Sequence, residues 1–461
     1  MERGQYPLEP LFGRILSPFE RFLRRTTAGG IVLVGATVIA LALATIFGAH
    51  AIHAVASHTL TLSAGGRFAL ELSLHQAVNE GLMVLFFLMV GLELKREILV
   101  GELSSLKDAA LPVVAATGGM IVPALVFTYL NAGTVGASGW GIPMATDIAF
   151  AVGILVLLAW RIPKNLIVFL TALAIADDLG AVLVIALFYS EELRVGALVA
   201  SGVIFAGLLL LNRGGVRHPL PYAIAGVLLW LAVLESGIHA TLAGILLAIV
   251  IPARPARTPE QFERRLEELL AAFRADRRDK HTADDPLSNH LMTTVAEEME
   301  HSAAEVQSPL QRIEHRLTPW VTFVIIPVFA LSNAGIDLLE VSWGEVLTNT
   351  ITLGVAAGLV LGKFIGVSLF SWLAVRLGIA RLPSGVEWKH LLGAAWLAGI
   401  GFTMSLFISR LAFSDLMLVE KATLGILAGS ALSAVVGLVW LYRAGAGVER
   451  RVGAQVPVQG A

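Results

Sequence analysis

An almost unbroken apolar run from Leu166 to Tyr189 carries two adjacent carboxylates, Asp177 and Asp178. The run is long enough to cross a bilayer, for which about 20 apolar residues suffice. Each carboxylate in such a segment costs roughly 2.5–3.5 kcal/mol on insertion scales, so packing alone does not explain the pair. A buried carboxylate either takes up a proton or holds a cation. A site that does both in turn can exchange one for the other.

Composition indicates a membrane protein with several spans. The 461 residues are 56% hydrophobic and 15% charged, whereas a soluble chain of this length would carry about 25% charged residues. The 45 glycines fit closely packed transmembrane helices. Cysteine is absent from the sequence, which excludes disulfides, thiolate metal sites and cysteine nucleophiles. The first residues are polar and basic, so we expect no cleavable signal peptide.

Apolar runs predict about twelve transmembrane segments. They lie near Ile31–Phe47, Gly81–Leu94, Ala109–Tyr129, Ile142–Trp160, Leu166–Tyr189, Val195–Leu211, Tyr222–Leu234, Ile238–Ile251, Val321–Leu331, Ile351–Val375, Leu391–Ile408 and Ala422–Tyr442. Lysine and arginine concentrate in alternate loops, which predicts that both termini are cytoplasmic. The expected order is a cytoplasmic N-terminal segment (1–26), helices 1–8 (27–253), a cytoplasmic polar loop (254–318), helices 9–12 (319–443) and a cytoplasmic tail (444–461).

Three segments outside the spans have patterns of their own. In the polar loop, apolar residues recur at helical spacing from Phe262 to Phe273, which predicts an amphipathic helix on the membrane or on the protein. A structural role is favoured there over a regulatory one. Leu11–Arg25 is predicted to lie in the membrane interface. Leu60–Leu74 alternates around Ala-Gly-Gly, which predicts a small external β-hairpin whose edge can pair with a second subunit.

A buried lysine needs an acidic neighbour. Lys363 lies in the middle of the apolar run Ile351–Val375, where an isolated ammonium group would not keep its charge. The candidate partners are Asp177, Asp178 and Asp147. Because the two adjacent aspartates are about 100° apart around a helix, they cannot play identical roles. Sodium, a hard cation, prefers such oxygen ligands.

Two spans are interrupted by residues that break helices. Thr146 and Asp147 lie in Ile142–Phe150, which Pro143 interrupts, and a second interruption falls at Gly399–Ser405. Broken spans in both halves of a chain are the best sequence indication of a transporter site. Broken ends expose unpaired backbone groups and partial charges. An aspartate can offset the positive ends and a lysine the negative ones.

A further charged group lies near the predicted cytoplasmic face. It comprises Glu93, Lys95, Arg96, Glu97, Glu314 and His315, with His239 in a nearby span. The ordinary interpretation is surface charge beside the membrane and a packed histidine. The alternative is a funnel that senses protons.

Several long motifs resemble the NhaA-type Na+/H+ antiporters. They are Val90–Ile98, Ala145–Leu155, Leu173–Tyr189, His239–Gly244, Phe329–Leu338, Gly358–Phe370 and Gly399–Ile408, and the match runs from about Thr27 to Tyr442. The resemblance implies an all-α polytopic membrane protein with twelve transmembrane helices, inverted repeats and two broken, crossing helices. It also implies electrogenic exchange of protons for sodium or lithium.

The resemblance also implies roles for individual residues. Asp178 falls on the main cation and proton carboxylate. Asp177 falls on its partner, which in the family either binds the ion or pairs with a lysine, and Lys363 falls on that lysine. Thr146 and Asp147 fall on the unwound fourth segment. The acidic positions linked to pH activation are Glu93, Glu97, Glu314 and Glu80, with His239 as an influencing histidine. The hairpin Leu60–Leu74 falls on the dimer contact.

Two departures affect the predicted pH-sensing region. The family's short loop before Val321 is expanded here by tens of residues, and Thr318 stands where a histidine often precedes Pro-Trp. The ion site itself is intact. We therefore expect the same exchange with a pH range of its own.

The expected function is secondary antiport at a bacterial inner membrane, with Na+ (or Li+) and H+ competing for buried aspartates, in the service of pH and sodium homeostasis. No cofactor, ATP site or nucleic-acid partner is expected, and no P-loop glycine motif occurs. A proton-coupled carrier of another solute and a channel remain alternatives. An intramembrane aspartyl protease is the rival enzyme, but its two carboxylates must face one another and share a proton.

Overall fold

A computed structural model describes residues 28–48, 54, 57–64, 68–190, 193–276, 290–337, 339, 341, 343–346 and 348–445. The interfacial segment predicted at Leu11–Arg25 lies outside these residues, as does most of the predicted cytoplasmic tail.

The described residues are almost entirely helical. In chain order the helices are α1 (Ala28–Phe47), α2 (Leu74–Val100), α3 (Leu106–Asn131), α4 (Ile148–Leu157), α5 (Lys164–Phe188), α6 (Val195–Arg213), α7 (Pro219–Leu234), α8 (Leu242–Val250), α9 (Pro259–Asp276), α10 (His290–Val306), α11 (Pro309–Asn333), α12 (Thr350–Arg376), α13 (Trp388–Leu397), α14 (Phe402–Ala412) and α15 (Leu416–Ala444). A 3₁₀ segment, Val135–Met144, precedes α4. Single helical turns lie at Glu102–Ser104 and Trp343–Val346.

The helix lengths support a protein with many membrane spans. Eight helices of the described residues are long and apolar enough to cross a membrane, and two bent pairs raise that number to ten. One pair is Val135–Met144 with α4, bent by 41°, and the other is α13 with α14, bent by 45°. The two interruptions predicted from the sequence are therefore confirmed. The other two of the twelve predicted spans correspond to α7 and α8, which have 16 and 9 residues.

The chain divides into two compact units. Unit 1 comprises Met1–Met83, Glu97–Glu192 and Val321–Ala461. Its apolar core joins α3, α4, α5, α12, α13 and α15. In it, α3 and α12 approach closely where Gly118 faces Gly366. A Cβ atom on Gly366 would lie 2.1 Å from the Gly118 carbonyl oxygen. The close approach of α3 and α12 therefore requires glycine at this position.

Unit 2 comprises Val84–Arg96 and Leu193–Trp320. Its core includes Leu92 of α2, Leu208 of α6, Leu229 of α7, Ala248 of α8 and Leu310 of α11. The ammonium group of Lys95 lies 2.6 Å from the Ile249 carbonyl oxygen and 2.5 Å from that of Ile251. Lys95 therefore caps the C-terminal end of α8, where unpaired carbonyl groups favour a cation.

The long polar loop of unit 2 contains two helices, α9 and α10, that pack against each other. Helix α9 contains the predicted amphipathic stripe, which is thus confirmed as a helix. It packs on α10, with Leu269 and Val295 buried. Arg265 of α9 lies 3.2 Å from Glu298 of α10. The apolar face of α9 is therefore satisfied in part by the loop's own second helix.

Two short strands precede α2 in unit 1. Strand β1 (Thr59–Ala64) pairs antiparallel with β2 (Phe68–Ser73), with Leu62 opposite Leu70. Ser73 then begins α2 with a capping box, in which its hydroxyl accepts a hydrogen bond from the Gln76 backbone at 3.1 Å. The strands thus lie in the segment predicted as a hairpin.

Candidate ion-binding site

Helix α5 places both aspartates in the interior of unit 1. Asp177 is fully buried and Asp178 is 1% exposed. The preceding turns of α5 bury Phe169, Leu170 and Leu173 in the core, so packing fixes the helix just before the two aspartates. The carboxylates are therefore held inside the protein and away from lipid.

Lys363 meets Asp177 in the centre of unit 1. It begins the regular part of α12 after a π-helical turn, Gly358–Gly362, and such turns are frequent at functional sites. Its ammonium group is fully buried and forms an ion pair with Oδ2 of Asp177. Asp178 lies near enough for an electrostatic interaction with the same ammonium group. Among the three partners predicted for Lys363, the structure thus selects Asp177.

Thr146 connects the first broken helix to this ion pair. Its hydroxyl oxygen lies 2.6 Å from Oδ2 of Asp177 and 2.8 Å from the carbonyl oxygen of Ala398. Ala398 follows α13 in the second broken helix. One hydroxyl therefore joins the break before α4, the carboxylate of α5 and the break after α13.

Asp147 joins the N-terminal ends of two half-helices. Its Oδ1 accepts the backbone N–H of Phe150 at 3.0 Å, and its Oδ2 accepts the backbone N–H and hydroxyl of Thr403 at 3.0 and 2.7 Å. Its own N–H donates to Ile400 at 2.6 Å. Because helix N-termini carry partial positive charge, one carboxylate offsets the ends of both α4 and α14.

Several oxygen atoms at the centre of unit 1 could serve as ligands of a cation. Oδ1 of Asp177 is buried and accepts no hydrogen bond from any described residue, whereas both carboxylate oxygens of Asp147 are occupied. Nowhere in the described part of the chain do three or more His, Asp or Glu side chains converge as a resident metal site requires. The available ligands are the carboxylates of α5, supplemented by hydroxyl and carbonyl oxygens at the breaks.

A separate charged cluster lies in unit 2. Arg96 of α2 lies 3.2 Å from Glu314 of α11 and 4.0 Å from Glu93. All three side chains are partly exposed. The structure thus brings together Glu93, Arg96 and Glu314, three residues of the charged group recognised in the sequence.

The other predicted sensing residues are Glu97, His239 and Glu80. Glu97, in unit 1, accepts the backbone N–H of Glu102 at 3.0 Å beyond the end of its helix. His239 is half-buried in the break before α8 in unit 2, and Glu80 is half-buried in a π-helical turn of α2 in unit 1.

Sequence reasoning missed Thr403. The interruption at Gly399–Ser405 was recognised, but no hydrogen-bond donor to Asp147 was predicted there. A signal was available, because a threonine just after a Gly-Ile-Gly break occupies the first turn of a new helix, where its N–H has no partner within that helix. The capping role of Lys95 was also missed, since nothing in its own segment indicates α8.

Two broken helices that meet beside buried charges of opposite sign define a class of membrane protein, the secondary transporters with discontinuous helices. Residues 20–441 match the sequence profile of the Na+/H+ antiporter 1 family, and the chain belongs to this family. It is therefore a multi-pass bacterial membrane transporter and not an enzyme.

Similar proteins cover almost the whole chain. The Na(+)/H(+) antiporter NhaA of Syntrophobacter fumaroxidans is 62% identical over 96% of this chain and 94% of its own length. That of Acidithiobacillus ferrooxidans is 55% identical over 93% and 98%, respectively. The Na(+)/H(+) antiporter NhaA 1 of Saccharophagus degradans is 46% identical over 97% and 96%.

Proposed function

We propose that this protein exports Na+ or Li+ in exchange for protons that enter the cell, with both ions competing for Asp177 and Asp178. The observation that carries the proposal is the buried ion pair between Lys363 and Asp177 beside Asp178, at the place where two broken helices meet. Ion gradients supply the energy for such exchange, and members of this family use no cofactor.

The exchange cycle follows from charge balance. Asp178 is the principal carboxylate, which holds a proton in one half of the cycle and the cation in the other. A bound cation also interacts with the Asp177 carboxylate and thereby weakens the ion pair between Asp177 and Lys363. If the buried ammonium group then gives up its proton, more than one proton moves for each cation. Net charge crosses the membrane in that case, and the exchange is electrogenic.

Thr146 and Asp147 complete the proposed site in different ways. Thr146 offers a hydroxyl oxygen within reach of the carboxylates. Asp147 supports the site electrostatically, because its negative charge holds the N-terminal ends of α4 and α14 together. Movement of one repeat of the transporter relative to the other would then expose the α5 carboxylates to alternate sides of the membrane.

We further propose that Glu93, Glu97, Glu314, His239 and Glu80 adjust activity to pH. The support is strongest for Glu93 and Glu314, because both lie beside Arg96. Protonation of either glutamate would release the arginine from that contact. Glu314→Gln should therefore shift the pH profile of exchange, and Glu263→Gln on the exposed surface of α9 should leave it unchanged. An unshifted profile in Glu314→Gln would exclude this glutamate from pH sensing.

The proposed setting is the bacterial inner membrane, with the termini and the loop 254–318 in the cytoplasm. Basic residues of alternate loops support this orientation. A homodimer through Leu60–Leu74 is part of the proposal, since two-stranded sheets leave free edges. An aspartyl protease is not proposed, because Asp177 pairs with Lys363 rather than with a second carboxylate.

Everted membrane vesicles that hold a pH gradient test the exchange. Addition of NaCl or LiCl should collapse the gradient in vesicles with the wild-type protein, and Asp178→Asn should abolish this response. Asp108→Asn, at an exposed position of α3, is the matched control and should retain it. A gradient that persists with both cations would point to another transported solute, whereas activity in Asp178→Asn would place the site elsewhere.

A further inference from the structure

A groove runs along the C-terminal part of α15 in unit 1. It has a volume of about 600 Å³. Its lining comprises Val435, Val436, Val439, Trp440, Ala444, Lys389 and Arg443. The groove is thus apolar along its length and carries two cations, and the described residues contribute no acidic side chain to its lining.

The apolar wall of this groove faces outward. The exposed fractions are 58% for Val435, 44% for Val439 and 39% for Trp440. The indole N–H of Trp440 donates to the carbonyl oxygen of Lys389 at 2.8 Å, so the ring is held as a fixed wall beside the lysine. Val435 lies eight positions before Arg443, which places the start of the apolar wall about 12 Å along the helix from that cation.

The neighbouring residues place the cations at the depth of lipid headgroups. The guanidinium group of Arg161 lies 4.9 Å from the ring centre of Trp160 and 4.3 Å from that of Tyr442. Both rings are largely exposed. Exposed tryptophan and tyrosine rings concentrate at the level of the headgroups, and Tyr442 adjoins Arg443 in the chain.

The cations of the groove are available to an anion. The Lys389 ammonium group lies 3.0 Å from Glu387, but both side chains are exposed, at 41% and 53%. Exposed pairs of this kind contribute little stability, so a phosphate can displace the glutamate. Glu387 would keep its second role, because it caps the start of α13.

We propose that this groove binds one anionic phospholipid, with its phosphate on Lys389 and Arg443 and an acyl chain along Val435 and Val439. Basic pockets between transmembrane helices bind anionic headgroups in this manner. Charge argues against a second copy of this chain as the occupant. Two such grooves in a symmetric contact would oppose cations to cations.

Native mass spectrometry of the full-length, delipidated protein in detergent tests the proposal. Phosphatidylglycerol and phosphatidylcholine with identical acyl chains serve as the probes. The wild type should bind phosphatidylglycerol more tightly. Lys389→Gln and Arg443→Gln should each weaken that binding by about fivefold, as expected for one cation near a headgroup, and the double variant should show no preference. Lys164→Gln with Arg381→Gln removes two other cations and should keep the preference.

Glu387→Gln provides an opposite test, because it removes the competing charge while a glutamine oxygen can still cap α13. Its affinity for phosphatidylglycerol should exceed that of the wild type. Equal binding of the two lipids, or a preference that survives in the double variant, would overturn the proposal. So would a changed oligomeric mass of the double variant with unchanged lipid binding, since the groove would then be a protein contact. Sodium transport after reconstitution verifies that each variant is folded.

Discussion

The hydroxyl group of Thr146 lies 2.6 Å from Oδ2 of Asp177, within hydrogen-bonding distance of the residue that pairs with Lys363. The same hydroxyl is 2.8 Å from the Ala398 carbonyl oxygen. It has a single proton and can donate it to only one acceptor at a time. A charged Asp177 competes for that proton, whereas a protonated Asp177 can donate to Thr146 and leave Ala398 satisfied. The charge on α5 is thereby coupled to the end of α13.

Two substitutions of Thr146 distinguish the effect of its hydroxyl group from the effect of its shape. Thr146→Val keeps the volume and removes the hydrogen bonds, whereas Thr146→Ser keeps the hydroxyl. A hydrogen bond to a charged group contributes about 1.5–3 kcal/mol, so we expect the valine variant to need at least about tenfold more sodium for half-maximal exchange. The serine variant should stay near the wild type. Equal sodium dependence of the two variants would exclude a role for the hydroxyl.

The Lys363–Asp177 pair predicts a rescue experiment. Loss of one partner of a buried ion pair costs about 3–5 kcal/mol, because the other charge stays buried without compensation. Lys363→Met should therefore lower the thermal unfolding temperature in detergent. The double variant with Asp177→Asn should recover much of this loss while remaining inactive in exchange. A double variant less stable than Lys363→Met would contradict the pairing.

Two substitutions of Asp147 should lower thermal stability to different degrees. Asp147→Asn keeps an oxygen acceptor but loses the charge, and Asp147→Ala loses both, so thermal stability should fall in that order. The alanine variant should cost more than the removal of an ordinary helix cap, about 1 kcal/mol. Asp415→Ala is the matched control, because Asp415 caps only α15 and is exposed. Equal losses in the two alanine variants would show that Asp147 caps one helix only.

The glycine contact between α3 and α12 can be tested by adding one carbon. Gly366→Ala would place its Cβ 2.1 Å from the Gly118 carbonyl oxygen, and overpacking of this kind costs about 1–3 kcal/mol. Gly35→Ala on α1 meets no atom within 4 Å and should be neutral or slightly stabilising. Thermal unfolding of both variants gives the comparison, and a neutral Gly366→Ala would show that the helices can separate freely.

Most of the local architecture could be predicted from the sequence. A broken span leaves a local trace, because Pro143 or a Gly-Ile-Gly sequence cannot continue a regular helix, and both breaks were predicted in the correct segments. The need of Lys363 for an acidic partner also followed from its apolar surroundings alone. In each case the physical cause lies within about ten residues of the effect.

Contacts between distant segments were harder to predict from the sequence. Three carboxylates were candidate partners for Lys363, and only the packing of α5 and α12 within unit 1 selects Asp177. The bond between Asp147 and Thr403 joins residues 256 positions apart. Likewise, Lys95 looks like ordinary surface charge in its own segment, yet it caps α8 more than 150 residues later. Such pairings depend on helix packing, which local sequence does not encode.

Proton release from the purified protein tests the central claim most directly. If Na+ and H+ compete for the same carboxylates, NaCl added to the weakly buffered, detergent-solubilised protein should acidify the solution, whereas choline chloride should not. Asp178→Asn should abolish the release and Asp108→Asn should preserve it. Acidification should also vanish at a pH high enough to deprotonate the site beforehand. Sodium binding without proton release in the wild type, or full release in Asp178→Asn, would contradict competition at this site.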